Sequence, residues 1–169
     1  MRSLKTVMTP ILSIVGKSQS GKTTLIEKLI PVLRGRGYRI GIIKHAHHGF
    51  DIDQEGKDSW RHKEAGADTV IVAGPEKIAM IKNDNGNSLN DLEKYVQDLD
   101  LVITEGYKRE NRPKIEVIRA ARNSTSLCVG DPALFAVLTD TSTDCNVPRF
   151  ELDDVKGLAD LIERKFLQK

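Results

Sequence analysis

Short apolar runs, each broken by a glycine-rich or polar turn, alternate along this chain with stripes of helical period. The first run, Ile11-Leu12-Ser13-Ile14-Val15, has the length of a buried strand, and beyond it Leu25, Ile26, Leu29, Ile30 and Leu33 recur at about 3.6 residues. That spacing predicts a helix over Thr24 to Leu33, closed by Arg34-Gly35-Arg36-Gly37. Pro31 within it lacks an N–H, so a kink or a tightened last turn is expected. Tyr38 to Lys44 then reads as a second strand, parallel to the first because a βαβ unit closes most easily that way. Asp58 to Ala67 suits a short helix with an Asp or Ser cap, and Thr69–Ala73 with Lys77–Ile81 reads as two strands about the turn Gly74-Pro75-Glu76. Asn83 to Asn87 is a turn, after which Ser88 caps a helix through Leu89, Leu92, Tyr95, Val96 and Leu99. Further strands are expected at Asp100–Gly106, Ile115–Ile118 and Ala133–Leu138, with a closing amphipathic helix over Val155 to Leu167. The alternation predicts an α/β fold, a mainly parallel sheet flanked by helices with one β-hairpin excursion.

The turn between the first strand and the first helix changes the picture from fold to chemistry. Gly16-Lys17-Ser18-Gln19-Ser20-Gly21-Lys22-Thr23-Thr24 carries the Walker A spacing G-x-x-x-x-G-K-T without departure. Glycines at the two fixed positions open backbone conformations closed to residues with a Cβ, so successive N–H groups and the helix dipole can surround phosphate oxygens. Lys22 is then expected on the β/γ-phosphates and the Thr23 hydroxyl on Mg²⁺. The fold expected is P-loop NTPase-like, in a single nucleotide-binding domain over residues 1–169.

Glu105 ends an apolar strand where such sheets present a magnesium-associated carboxylate, and Asp53 is a second acid suited to a cation that keeps several waters. The stretch from Lys44 to His62 holds all four histidines, on a loop that opens to the same side of the sheet as the phosphate loop. His45, His47 and His48 beside Lys57 and Arg61 suit a phosphate-bearing substrate. Chelation by His45 and His47 with Asp51 or Asp53 is the metal alternative, lacking a Cys/His pair to complete a zinc site, and solvated surface histidines are the plain one. Tyr107 to Lys114 is a basic loop in which Lys108 is a further substrate candidate. Lys17 is read as solvated, with reach to a partner's nucleotide as the alternative. No N-K-x-D tetrad advertises guanine specificity; Asp140 at the end of a late strand is a candidate to meet a base, with a plain turn acid as the alternative.

Composition narrows the partners. A net charge of +2 in a chain that is 30% charged describes a mixed surface with no concentrated basic face, so nucleic acid is not expected. The two cysteines, Cys128 and Cys145, have neither CxxC spacing nor secretory context and read as reduced thiols. The apolar run at Ile11 is far too short for a membrane span, and the expected location is the cytoplasm.

The loop Gly16–Thr24, the block Lys44-His45-Ala46-His47-His48-Gly49-Phe50-Asp51-Ile52-Asp53, Gly56–Arg61, the Thr104-Glu105-Gly106-Tyr107-Lys108 turn and Pro113–Val117 together resemble the molybdopterin-guanine dinucleotide biosynthesis adapter family. The resemblance spans nearly the whole chain, and the His-rich block at that distance from the loop is its specific mark. It departs at Ala46 and Gly49, where the family commonly has Thr and Asp. The resemblance implies GTP binding with Mg²⁺, at most slow GTP hydrolysis, a homodimer, a possible molybdopterin ligand, and cooperation with the molybdopterin guanylyltransferase that attaches GMP. The alternative is a self-sufficient enzyme similar to dethiobiotin synthetase, or a small-molecule kinase. The basic run Tyr107–Arg112 separates it from the former, whose corresponding turn is Gly-rich.

Overall fold

The computed structural model describes residues 8–46, 49–83, 88–122 and 125–167. The expectations for His47 and His48, and for the turn across 84–87, fall outside those residues. In chain order the elements are β1 (Ile11–Val15), α1 (Lys22–Gly35), β2 (Ile40–Lys44), α2 (Asp58–Glu64), β3 (Thr69–Ala73), β4 (Ile78–Lys82), α3 (Leu89–Leu92), β5 (Leu101–Glu105), β6 (Lys114–Ile118), β7 (Leu134–Thr139), β8 (Arg149–Phe150) and α4 (Val155–Ile162). They divide into two compact units, one of residues through His45 and from Leu92 onward, the other Ala46–Asp91.

The first unit is built on a six-stranded sheet in the order β2-β5-β1-β6-β7-β8, parallel throughout. Alternate residues on four strands face one way: Leu12 and Ile14, Leu101 and Ile103, Ile115 and Val117, Ala136 and Leu138. They pack on Leu25, Leu29 and Leu33 of α1 and on Leu158 and Ile162 of α4, all deeply buried. Each such side chain contributes roughly 1.5–3 kcal/mol on burial, which is why the helical stripe on α1 survives Pro31. On the opposite face Val15, Ile118 and Val137 meet Cys128 and Leu134 in a second cluster. Polar groups there are paired: the Thr104 hydroxyl donates to Ser13 Oγ at 2.9 Å, both residues fully buried. The sheet therefore holds its central strand, with the phosphate loop at its end, from both sides. β1 lies between β5 and β6, so the strand order departs to both sides of it, the switch point at which α/β sheets bind ligands.

The elements differ from expectation mainly at their ends. α1 runs four residues beyond the predicted Thr24–Leu33, two at each end, and tightens as it closes, with Arg36 N–H donating to Leu33 O and Gly37 N–H to Arg34 O. The helix expected to reach Leu99 is only α3 and a 3₁₀ turn at Glu93–Tyr95. Arg39 accounts for the early stop: its guanidinium binds Asp98 at 2.6 Å and its N–H donates to Asp100 at 2.8 Å, drawing the chain into β5. Gly41 makes room for that path, since a Cβ there would stand 2.4 Å from Leu99 Cδ1. The closing helix is α-helical over α4, where Asp154 caps Gly157 N–H at 3.0 Å, and finishes as a π turn over Glu163–Leu167. β8 was not expected, because two residues carry no periodicity.

In the second unit β3 and β4 pair antiparallel, Thr69 opposite Lys82 and Ala73 opposite Ile78, closed by Gly74 N–H donating to Lys77 O at 2.9 Å. α2 has no side-chain cap, a departure from the expected one: the Ser59 hydroxyl is taken by Asp53 Oδ1 at 2.9 Å. Among the described residues no helix is long and apolar enough to cross a membrane.

Candidate nucleotide site

The run from β1 into α1 turns on two glycines. Gly16 has φ +146°, and a Cβ on it would fall 2.5 Å from Val117 O and 2.7 Å from Ser20 Oγ, so neither the conformation nor the space admits a side chain. Gly21 has φ +102° and caps α1 with no side chain, which leaves the first-turn N–H groups of the helix for a ligand. Between them Ser18 and Gln19 are exposed, Gln19 in the left-handed region at φ 59°, and Lys17 is half-buried. Ser20 is buried, and its hydroxyl has no partner. A buried hydroxyl without a partner at the base of a glycine turn is a group awaiting an acceptor.

Lys22 Nζ curls back over the loop, donating to Lys17 O at 2.7 Å and Gly16 O at 3.2 Å. Burial lowers its pKa, against the pull of Glu105. Next to it the Thr23 hydroxyl donates to Glu105 Oε1 at 2.8 Å, while Thr24 is exposed. The sequence placed Thr23 and Glu105 at one cation, and the fold brings them into contact. A hydroxyl and a carboxylate side by side form the hard-oxygen donor set that Mg²⁺ takes together with phosphate and water. Among the described residues no three His, Cys, Asp or Glu side chains gather as a metal cluster.

β5 ends in a turn that needs left-handed backbone twice, at Gly106 (φ 103°) and Tyr107 (φ 55°). The turn is held by Gly106 N–H donating to Ile14 O at 3.1 Å, and by His45 N–H donating to Glu105 O at 3.1 Å. It stacks the Tyr107 ring on the His45 imidazole, centroids 4.6 Å apart, and burial raises the Tyr107 pKa. Lys108 follows, exposed. Asp53, Lys57 and Arg61 belong to the second unit: Asp53 Oδ1 accepts from Gln54 N–H and Ser59 Oγ, Arg61 lies 3.7 Å from Asp58, and Lys57 precedes α2. Asp140 Oδ1 accepts the Ala120 N–H at 2.7 Å, tying the end of β7 to the turn after β6.

That turn carries a residue the sequence did not mark. Arg119 brings its guanidinium to 3.6 Å from where a Gly21 Cβ would stand, and its Nε is buried without a partner. An arginine just past a strand carries no spacing signal, so only the pairing of β6 beside β1 reveals it.

A parallel sheet whose central strand ends in this loop and runs into a helix defines a P-loop nucleotide-binding protein. The family model described as molybdopterin guanine dinucleotide synthesis protein B, MobB, matches residues 11–140, and the chain belongs to that family. The Haemophilus influenzae molybdopterin-guanine dinucleotide biosynthesis adapter protein is 41% identical over 157 residues, covering 91% of this chain and 88% of that protein. The Escherichia coli protein of the same name is 38% identical over 161 residues, 92% of each. A crystal structure of molybdopterin-guanine biosynthesis protein B superposes with a TM-score of 0.75 at 34% identity, over 94% of this chain and 99% of that one. The crystal structure of Bacillus subtilis MobB gives 0.74 at 26% identity, over 95% and 99%.

Proposed function

We propose that the protein is a GTP-binding adapter of molybdenum cofactor biosynthesis, assisting the guanylyltransferase that attaches GMP to molybdopterin to form molybdopterin guanine dinucleotide. The observation that carries this is the loop geometry around Lys22, in a chain whose relatives bear the adapter name. None of the relatives described above is named as a self-sufficient phosphate-loop enzyme or a small-molecule kinase, and that alternative is set aside.

Residues Gly16 to Thr24 hold the triphosphate. Lys22 releases the carbonyls of Gly16 and Lys17 for the β/γ-phosphates, and the Ser20 hydroxyl and first-turn amides supply further donors. Thr23 and Glu105 would hold Mg²⁺, which neutralises phosphate charge there, and Asp53 is the further acid that the sequence offers for it. His45, His47, His48, Lys57, Arg61 and Lys108 are the residues that the sequence offers for the phosphate-bearing pterin, and within the first unit the His45–Tyr107 stack offers an aromatic face. The protein acts as one functional unit in the cytoplasm and as a homodimer, a reading supported by the apolar side chains that β3 and β4 leave exposed, Ile71 at 61% and Ile78 at 73%. Hydrolysis by the chain alone is slow, because the sequence shows no Gln or Asp at a recognisable water-positioning site.

The test measures GTP turnover and molybdopterin guanylylation by this protein, by the transferase, and by both. Stimulation of the transferase at limiting substrate, with little turnover by the protein alone, is expected. Brisk turnover alone, or no effect on the transferase, would defeat the adapter reading.

A further inference from the structure

Along the side of α1 that faces β6 and β7, a cleft of about 210 Å³ continues directly from the phosphate loop. Its near end is formed by Ser20, Gly21 and Thr24, residues of the loop itself. Its apolar lining comes from Leu25, Val117, Leu138 and Leu152, and its charged lining from Lys28, Arg119 and Asp153. Whole-ligand pockets run to roughly 300–1,000 Å³, so this space suits one part of a ligand whose phosphates lie outside it.

Apolar side chains with a planar guanidinium and a carboxylate on one lining match a flat heterocycle with a hydrogen-bonding edge. The two neighbouring acids each have one oxygen engaged. Asp154 Oδ1 caps Gly157 N–H at 3.0 Å, and Asp140 Oδ1 holds Ala120 N–H at 2.7 Å, which fixes the turn bearing Arg119. Asp153 is itself set in place through its carbonyl, which accepts Val155 N–H at 2.8 Å, so its side chain is presented from a fixed backbone. A carboxylate only accepts hydrogen bonds. Guanine offers two adjacent donors, N1–H and N2–H, on the edge opposite its sugar, whereas adenine places the N1 lone pair there and xanthine a carbonyl beside its N1–H.

We propose that this cleft seats the nucleoside of the bound nucleotide, with Arg119 over the base and Asp153 accepting from guanine N1–H and N2–H, so that Asp153 sets the preference for guanine. The proposal rests on the nucleotide-binding reading of the phosphate loop.

Affinities of GTP, XTP, ATP and inorganic triphosphate, measured by calorimetry on the full chain, test it. The wild type is expected to prefer GTP. Charged hydrogen bonds of this kind are worth roughly ten- to a hundredfold in affinity, so Asp153→Asn is expected to lose that much for GTP and to gain for XTP, whose carbonyl meets the new amide. Its affinity for inorganic triphosphate is expected to stay unchanged, which shows that the variant is folded. Arg119→Ala is expected to weaken GTP and ATP together by about tenfold. Retention of the GTP preference by Asp153→Asn, no preference for GTP in the wild type, or transfer of the preference by Asp140→Asn instead, would overturn the proposal. A Lys22→Ala variant that binds GTP and triphosphate as the wild type does would instead refute nucleotide binding at the loop.

Discussion

Lys22 is a cation that the fold has drawn partly out of water, donating to two carbonyls of its own loop with Glu105 near enough to favour its charge. Because burial lowers its pKa from 10.5, the charged form is the one the free protein disfavours and a polyanion restores. Nucleotide affinity is therefore expected to be full at neutral pH and to fall as pH rises through that lowered pKa, below 10.5, with proton uptake on binding in that range detectable by calorimetry in buffers of different ionisation enthalpy. Lys22→Ala removes the contact and is expected to cost on the order of 1.5–3 kcal/mol, more than tenfold in affinity. The two cysteines make a second residue-scale contrast. Cys128 is buried, and burial, with the nearby Glu116 charge adding to it, pushes its thiol up to about 11. Cys145 is half-buried and accepts from the Thr143 hydroxyl. At neutral pH a thiol reagent is expected to label Cys145 first and Cys128 only on unfolding, read by mass spectrometry over time.

At the scale of elements, β6 decides where Arg119 stands, and β6 is held by buried charge. Lys114 lies against Asp131 at 2.6 Å, and that hydrogen bond, first among several causes, keeps the Asp131 carboxyl below its usual range. Glu116, 1% exposed, accepts from Ser126 Oγ at 2.5 Å, Leu127 N–H at 2.6 Å and Cys128 N–H at 3.3 Å, pinning the chain between β6 and β7. Glu116→Ala orphans those donors and is expected to destabilise by about 2–4 kcal/mol in chemical denaturation. Its GTP affinity in the folded state is expected to fall less than that of Arg119→Ala, because Glu116 touches the strand and not the site.

For the whole molecule, the six-stranded sheet and the β3–β4 hairpin differ in how their strands are covered. β1 is buried at every position, whereas four of five residues in β3 are exposed. Two-stranded ribbons with little buried apolar surface open readily. Amide exchange is expected to be at least about tenfold faster in 69–73 and 78–82 than in 11–15 and 101–105. Protection of the hairpin that rises with protein concentration would mark it as the homodimer contact, and protection independent of concentration would exclude it.

The sequence by itself determined the parallel α/β plan and the phosphate loop, and marked Thr23 and Glu105 as candidates for one cation. Each rests on local periodicity or fixed spacing, and each acid or hydroxyl sits at the end of an apolar run that must be a buried strand. Tertiary structure decided what spacing cannot carry. Arg119 reaches Gly21 only because β6 pairs with β1 across a hundred residues of chain, and the predicted helix toward Leu99 ends early because Arg39, far upstream, takes Asp98 and Asp100. Asp140 follows the apolar run of β7 and Asp153 stands three residues past the short β8, and only the fold gives them neighbours: an amide binds the first, and the second lines a cleft opening from the phosphate loop.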